Sequence, residues 1–290
     1  MFNQIFVSYL IEKSVLTFDE SEEVLEEVRD TRVRIGVLAV EADLMSQADV
    51  EYVNRLQSAK NARFGDIAIE EGYLTKEQFD GLLNNQPKSH VVLKQVLVDR
   101  EYMASDEFED ALCDFQKSLR VSSEVYELLQ DNNVEAFITH IAGIDKRKNI
   151  AFHKFAEIFI TMVIRLVERD VFLHGVHEGH TSNLGHFISQ KGHGDGEFKF
   201  AFGTNDTCAA TEFAEAYCKF PINSMDEDAV DSLKEFLNCV CGVLIAELSN
   251  SKTMELDIDV PEYFKDKSLC EDALVLPFSL PKGEFCLTVC

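Results

Sequence analysis

At 290 residues the chain is long enough for one large or two ordinary domains, and its 46% hydrophobic content can fill real cores. The charge is one-sided: 27 Lys and Arg stand against 52 Asp and Glu, a formal net charge of −25. An acidic surface repels phosphate backbones and anionic lipid, so nucleic-acid binding and membrane insertion are both argued against.

No basic segment followed by an apolar core opens the sequence, and the expectation is a cytoplasmic chain without a secretory signal. The longest apolar stretch, 155–167, is interrupted by Glu157 and Arg165 and is too short to span a bilayer. The eight cysteines contain no C-x-x-C pair, which fits reduced thiols.

The N-terminal part repeats. Residues 34–46 align without gaps on 63–75, an offset of 29, and each copy closes on a glutamine, Gln57 and Gln86. The same offset reaches back to residue 5 and forward to 92, giving four copies. Each predicts a short helix (37–42 or 66–71), a turn at Asp43 or Gly72, and a hydroxyl residue that opens a second helix. Thr75 with Gln78 forms a capping box ahead of a helix at 76–83, and Thr17 with Glu20 repeats it. Ser46 and Ser105 supply hydroxyls, but Asp49 and Phe108 break the box pattern. One such unit cannot bury its own apolar face, so stacked neighbours are expected over 1–116.

A connecting helix (124–129) and a boundary near 145–149 are predicted within 117–148. From 149 to 290 the pattern becomes mixed. Helices are expected at 150–169, 209–217 and 228–248, and strands at 171–176, 198–202, 255–260, 274–278 and 284–289. The fold class is α+β: a helical repeat module, then a domain with an antiparallel-rich sheet and long helices. His174, His177, His180, His186 and His193 crowd a glycine-rich stretch that reads as strand and loop. His177-Glu-Gly-His180 lacks the spacing of a zinc-hydrolase helix, and no metal site is assigned.

The chemistry-bearing pattern lies at 231–261. Asp231, Glu235, Asn238, Gly242 and Pro261 fit D-x3-E-x2-N-x22-P, which places Glu235 and Asn238 on one face of a helix. This segment resembles the signature of the CheC/CheX/FliY chemotaxis phosphatases. The corresponding stretch of the first long helix, Glu157-Ile-Phe-Ile160, has isoleucine in place of asparagine, so the likeness is to the single-signature CheX branch. The resemblance implies hydrolysis of the aspartyl phosphate on a response-regulator receiver domain. Asn238 would orient the attacking water and Glu235 would contact the receiver's lysine. Asp231, Gly242 and Pro261 would support the motif. No intrinsic cofactor is implied, since the receiver supplies Mg²⁺, and a homodimer is implied.

The repeats resemble the N-terminal domain of MshE/GspE-type secretion ATPases, a module that binds cyclic di-GMP in its MshE form. Carried over, Arg34, Ile35, Gly36 and Gln57 fit one ligand unit, and Arg63, Phe64, Gly65, Gly72 and Gln86 the other. Arginine can stack on guanine and pair with phosphate. This sequence departs from the pattern at Asp43, Asn54 and Tyr73. The alternatives to a phosphatase are a non-enzymatic adaptor that binds a receiver, and a cyclic-di-GMP sensor whose output is binding.

Overall fold

A computed structural model describes residues 1–31, 34–60, 64–84, 89–179, 184–267 and 272–290, and the side chains among them except those of 30, 57–60, 83, 84, 89 and 184. The chain forms two compact units, Phe2–Asp131 and Asn132–Cys290. The division falls inside the 117–148 stretch that reads as a connector.

The first unit is all helical. Its paired helices are α1 (Phe2–Glu12) with α2 (Phe18–Asp30), α3 (Ile35–Glu41) with α4 (Gln47–Lys60), α5 (Phe64–Glu70) with α6 (Lys76–Asn84), and α7 (Ser89–Asp99) with α8 (Ser105–Leu119). A ninth helix, α9 (Ser123–Gln130), follows. The repeat is written into the backbone. Val15, Leu44, Tyr73 and Tyr102 each donate their N–H to the carbonyl five residues back, on Leu10, Ala39, Ala68 and Leu97. The residue before each donor, Ser14, Asp43, Gly72 and Glu101, has positive φ. This is the left-handed stop that ends a helix by returning an N–H to its last turn.

Two expectations about caps are corrected. Asp49 completes a box with Ser46: the Ser46 N–H donates to Asp49 Oδ2 at 2.9 Å and the Asp49 N–H to Ser46 Oγ at 3.2 Å. Aspartate at the third helical position therefore does what glutamate does in α2. In the fourth copy the cap position is Ala104, not Ser105, and only the Glu107 half of the box forms. The packing also departs from simple stacking. The middle copies share a core of Ala39, Val50, Val53, Ile67 and Leu74. Copy one instead meets copy four, through Phe6–Phe108 (5.4 Å between ring centroids) and Phe2–Phe115 (5.9 Å).

The second unit opens with α10 (Val134–Ala136), a π-helical turn (Phe137–Ile141) and α11 (Ile150–Leu166). Then come β1 (Phe172–Leu173), β2 (His177–Gly179), β3 (Leu184–Gly194), β4 (Phe198–Thr204), α12 (Thr207–Cys218) and α13 (Glu227–Asn250). The last strands are β5 (Leu256–Ile258), β6 (Glu262–Lys267), β7 (Ala273–Leu280) and β8 (Gly283–Val289). They form one antiparallel sheet in the order β1-β7-β8-β4-β3-β5, with β2 also on β7 and β6 also on β3.

Aromatic rings join the helices to one sheet face. Phe155 meets Phe200 at 4.9 Å, and Phe159 meets Phe202, Phe236 and Phe278 at 5.1, 5.3 and 5.7 Å. Burial of such rings is the main source of stability in a layer of this kind. The glycine-rich stretch expected to be part loop is the longest strand, β3. Glycine weakens a strand but is tolerated where backbones approach: a Cβ at Gly203 on the adjacent strand would lie 2.5 Å from the His186 carbonyl oxygen. The expectation of reduced thiols fails at Cys290, which is disulfide-bonded. Cys113, Cys208, Cys218, Cys239, Cys241 and Cys286 are free.

Candidate functional site

Helix α13 begins at a strong cap. Asp226 Oδ1 accepts the Ala229 N–H at 3.2 Å, and that bond holds the Asp226 carboxyl below its ordinary pKa. Leu233, Phe236, Leu237, Val240, Cys241, Leu244 and Leu248 are buried, at the spacing of one helical face. Phe236 fixes the rotation: its ring lies 5.1 Å from Phe213, 5.2 Å from Tyr217 and 5.3 Å from Phe159. With that face pinned inward, Asp231, Glu235 and Asn238 are exposed. Gly242 continues the face, and a Cβ built on it would meet no atom within 4 Å. An open groove of about 590 Å³ borders it, lined in part by Ile245, Ala246 and Leu256.

Two short networks hold the pair. Glu235 Oε1 lies 3.6 Å from the Cys239 thiol, which donates to it, and the Tyr217 hydroxyl donates to the same sulfur at 3.7 Å. Burial pushes the Tyr217 hydroxyl up to about 12. Asn238 Oδ1 accepts from Gln190 Nε2 at 2.8 Å, and the same Nε2 donates to the Asp259 carbonyl at 2.7 Å. Gln190 was missed by sequence reasoning. The signal that could have found it is the alternation His186, Ile188, Gln190, which places polar residues on an inward strand face.

Pro261 lies between β5 and β6. On one side Gly192 pairs with Ile258, and on the other Ser189 pairs with Glu262. Two residues of β3 thus face three, 259–261, which is a bulge, and Val260 stands out from it at 82% exposure. Asp231 makes an exposed contact with Lys234 at 3.6 Å, worth little. In α11 Ile160 is fully buried and Glu157 holds Lys154 at 3.0 Å, so that helix presents no acid–amide pair.

Arg34 forks onto Asp99, Nη1 to Oδ1 at 3.2 Å and Nη2 to Oδ2 at 2.9 Å, and its backbone N–H donates to Gln95 Oε1. Ile35 and Phe64 pack against the core of the middle copies. Gly36 and Gly65 are packing glycines: a Cβ would fall 2.7 Å from Val50 Cγ1 and 2.2 Å from the Phe79 ring. Gly72 is the turn glycine. Arg63, Gln86 and the side chain of Gln57 lie outside the described residues.

The histidines disperse. His174 Nε2 pairs with Ser279 Oγ at 2.9 Å, and His193 lies 3.8 Å from Asp259. His186 is buried between the Tyr263 hydroxyl (2.7 Å) and Thr207 Oγ1 (2.8 Å). His177 lies on β2, and His180 lies outside the described residues. Among the described residues no helix is long and apolar enough to cross a membrane.

No protein-family model and no curated protein matches this chain. Solved structures do. A CheC-like superfamily protein from Shewanella sp. PV-4 is 16% identical with a TM-score of 0.44, over 49% of this chain and 97% of that one. The chemotaxis protein CheX from Vibrio vulnificus is 16% identical with a TM-score of 0.42, over 47% and 95%. A chain of the CheX–CheY–BeF3–Mg²⁺ complex from Borrelia burgdorferi is 17% identical with a TM-score of 0.40, over 48% and 95%.

Proposed function

We propose that the second unit hydrolyses the aspartyl phosphate of a response-regulator receiver domain. The observation that supports this reading most is the joint exposure of Glu235 and Asn238 on one face of a helix whose other face is core. A rigid acid–amide pair suits a reaction in which the partner already holds its metal ion and lysine, so that positioning is what remains to be supplied.

In this reaction a water oxygen attacks phosphorus in line, the bond from phosphorus to the receiver's carboxylate oxygen breaks, and aspartate and inorganic phosphate result. The Asn238 carboxamide orients the water, because it donates and accepts from one plane. The Glu235 carboxylate grips the receiver's lysine and sets the register of docking. Mg²⁺ belongs to the receiver.

The test is decay of a phosphorylated receiver with and without the protein. Wild type accelerates decay, and Asn238→Ala loses at least about tenfold of that acceleration while still binding the receiver. Equal acceleration by wild type and Asn238→Ala removes Asn238 from the reaction, and decay no faster with wild type than without it removes the enzyme. If binding survives that result, the protein is an adaptor.

A further inference from the structure

Gln190 lies at the middle of β3, paired with Phe200, on the face that meets the helices, and is only 1% exposed. An apolar side chain would fill this place without desolvating an amide. Gln190 Oε1 is buried with no hydrogen-bond partner among the described residues, which is a destabilising arrangement. What offsets it is the other end of the amide, whose two protons go to the Asp259 carbonyl and to Asn238 Oδ1.

Chemistry fixes the orientation of both amides. A backbone carbonyl only accepts, so the NH₂ end of Gln190 must face Asp259. Its second proton then requires an acceptor, and the only acceptor on the Asn238 side chain is Oδ1. Asn238 therefore turns Nδ2 away from Gln190. Oδ1 keeps one lone pair for a water, and the carboxamide is held in one plane, where a free amide would rotate and flip.

The bulge completes the arrangement. The Asp259 N–H bonds to the Lys191 carbonyl. Pro261 has no N–H to offer β3 and interrupts the pairing there. The Asp259 carbonyl is left to Gln190.

We propose that Gln190 is a positioning residue that selects the outward end of Asn238, with the Pro261 bulge supplying the second anchor for its amide. The geometry stands independently of the phosphatase reading, and the kinetic consequence rests on it. One experiment addresses each. In NMR spectra of the wild type, the Gln190 NH₂ protons exchange slowly with solvent and shift in Asn238→Ala. Fast exchange, or no shift, overturns the tie whether or not the protein is an enzyme. For turnover, Gln190→Met keeps the volume and removes the donor. It lowers kcat for receiver dephosphorylation about tenfold and leaves KM within about twofold, as expected for lost preorganisation. Unchanged kcat in a folded Gln190→Met overturns the positioning role. A wild type that hydrolyses nothing removes the phosphatase reading, and slow exchange with the Asn238-dependent shift still upholds the orientation of the amide.

Discussion

Asp43 and Gly72 occupy one position in successive repeats and share one backbone conformation, with φ of 53° and 78°. Only glycine adopts that region without a Cβ penalty, and aspartate is among the residues that tolerate it. A Cβ at Gly72 would meet no atom within 4 Å, so backbone strain is the whole cost there. Gly72→Ala is expected to destabilise the first unit by about 1 kcal/mol, and Asp43→Gly to stabilise it by up to about 1 kcal/mol. Urea unfolding followed by circular dichroism reads both. Destabilisation by both substitutions would contradict this account.

Ala104 stands where Thr17, Ser46 and Thr75 cap the other repeats. Its backbone is already in the cap conformation, φ −76° and ψ 163°, and its N–H already donates to Glu107 at 2.7 Å. Only the hydroxyl is missing. Ala104→Ser should complete the box and add about 0.5–1 kcal/mol, whereas Thr17→Ala should lose about 1 kcal/mol. Chemical denaturation of the two variants checks both signs, and a neutral Ala104→Ser would show that the fourth helix starts elsewhere.

These two cases show why the repeats were legible before the fold. The 29-residue offset fixes turns and caps, because each depends on residues three to five apart in sequence. The meeting of copy one with copy four depends on Phe2, Phe6, Phe108 and Phe115, and no local rule relates residues so distant. In the second unit, helical periodicity placed Glu235 and Asn238 correctly on the exposed face of α13. Gln190 escaped notice because the glycines around it mask a strand, and because its partners Asn238 and Asp259 are 48 and 69 residues away. The bulge at 259–261 escaped for the same reason, since it is a property of the pairing with β3.

His153 gives the second unit a dependence on pH. It is fully buried, with Nε2 paired to Thr139 Oγ1 at 2.9 Å and Nδ1 unpartnered among the described residues. Burial holds its pKa below the ordinary 6.5. The unfolded chain therefore binds a proton near pH 6.5 that the folded unit refuses. Stability contributed by the neutral ring is present above that pH and is lost as pH falls from about 6.5 toward the lower folded value. Thermal unfolding midpoints at pH 7.0 and 5.5 should differ more in wild type than in His153→Leu. His186 shares the direction of shift and remains in both proteins, so the difference between them isolates His153. Equal pH dependence in the two would show that His153 takes up its proton in the folded unit as readily as in the unfolded chain.

Gly242 separates stability from function. It sits within α13, one turn beyond Asn238, where among the described residues a methyl group would meet no atom within 4 Å outside the helix's own backbone. Glycine in a helix interior costs roughly 0.5–1 kcal/mol relative to alanine, so Gly242→Ala should stabilise the second unit by about that amount. No packing requirement of the unit itself explains the residue. Under the proposed function, the bare backbone lets another surface approach the helix beside Asn238, and the added methyl holds that surface off. Gly242→Ala is then expected to unfold at higher urea concentration yet bind the receiver more weakly, with calorimetry reading the binding and denaturation the stability. The two measurements moving in opposite directions is the signature of a residue retained for contact with a partner. A variant that gains stability and binds the receiver unchanged would remove Gly242 from the docking face, and would leave Glu235 and Asn238 to define it.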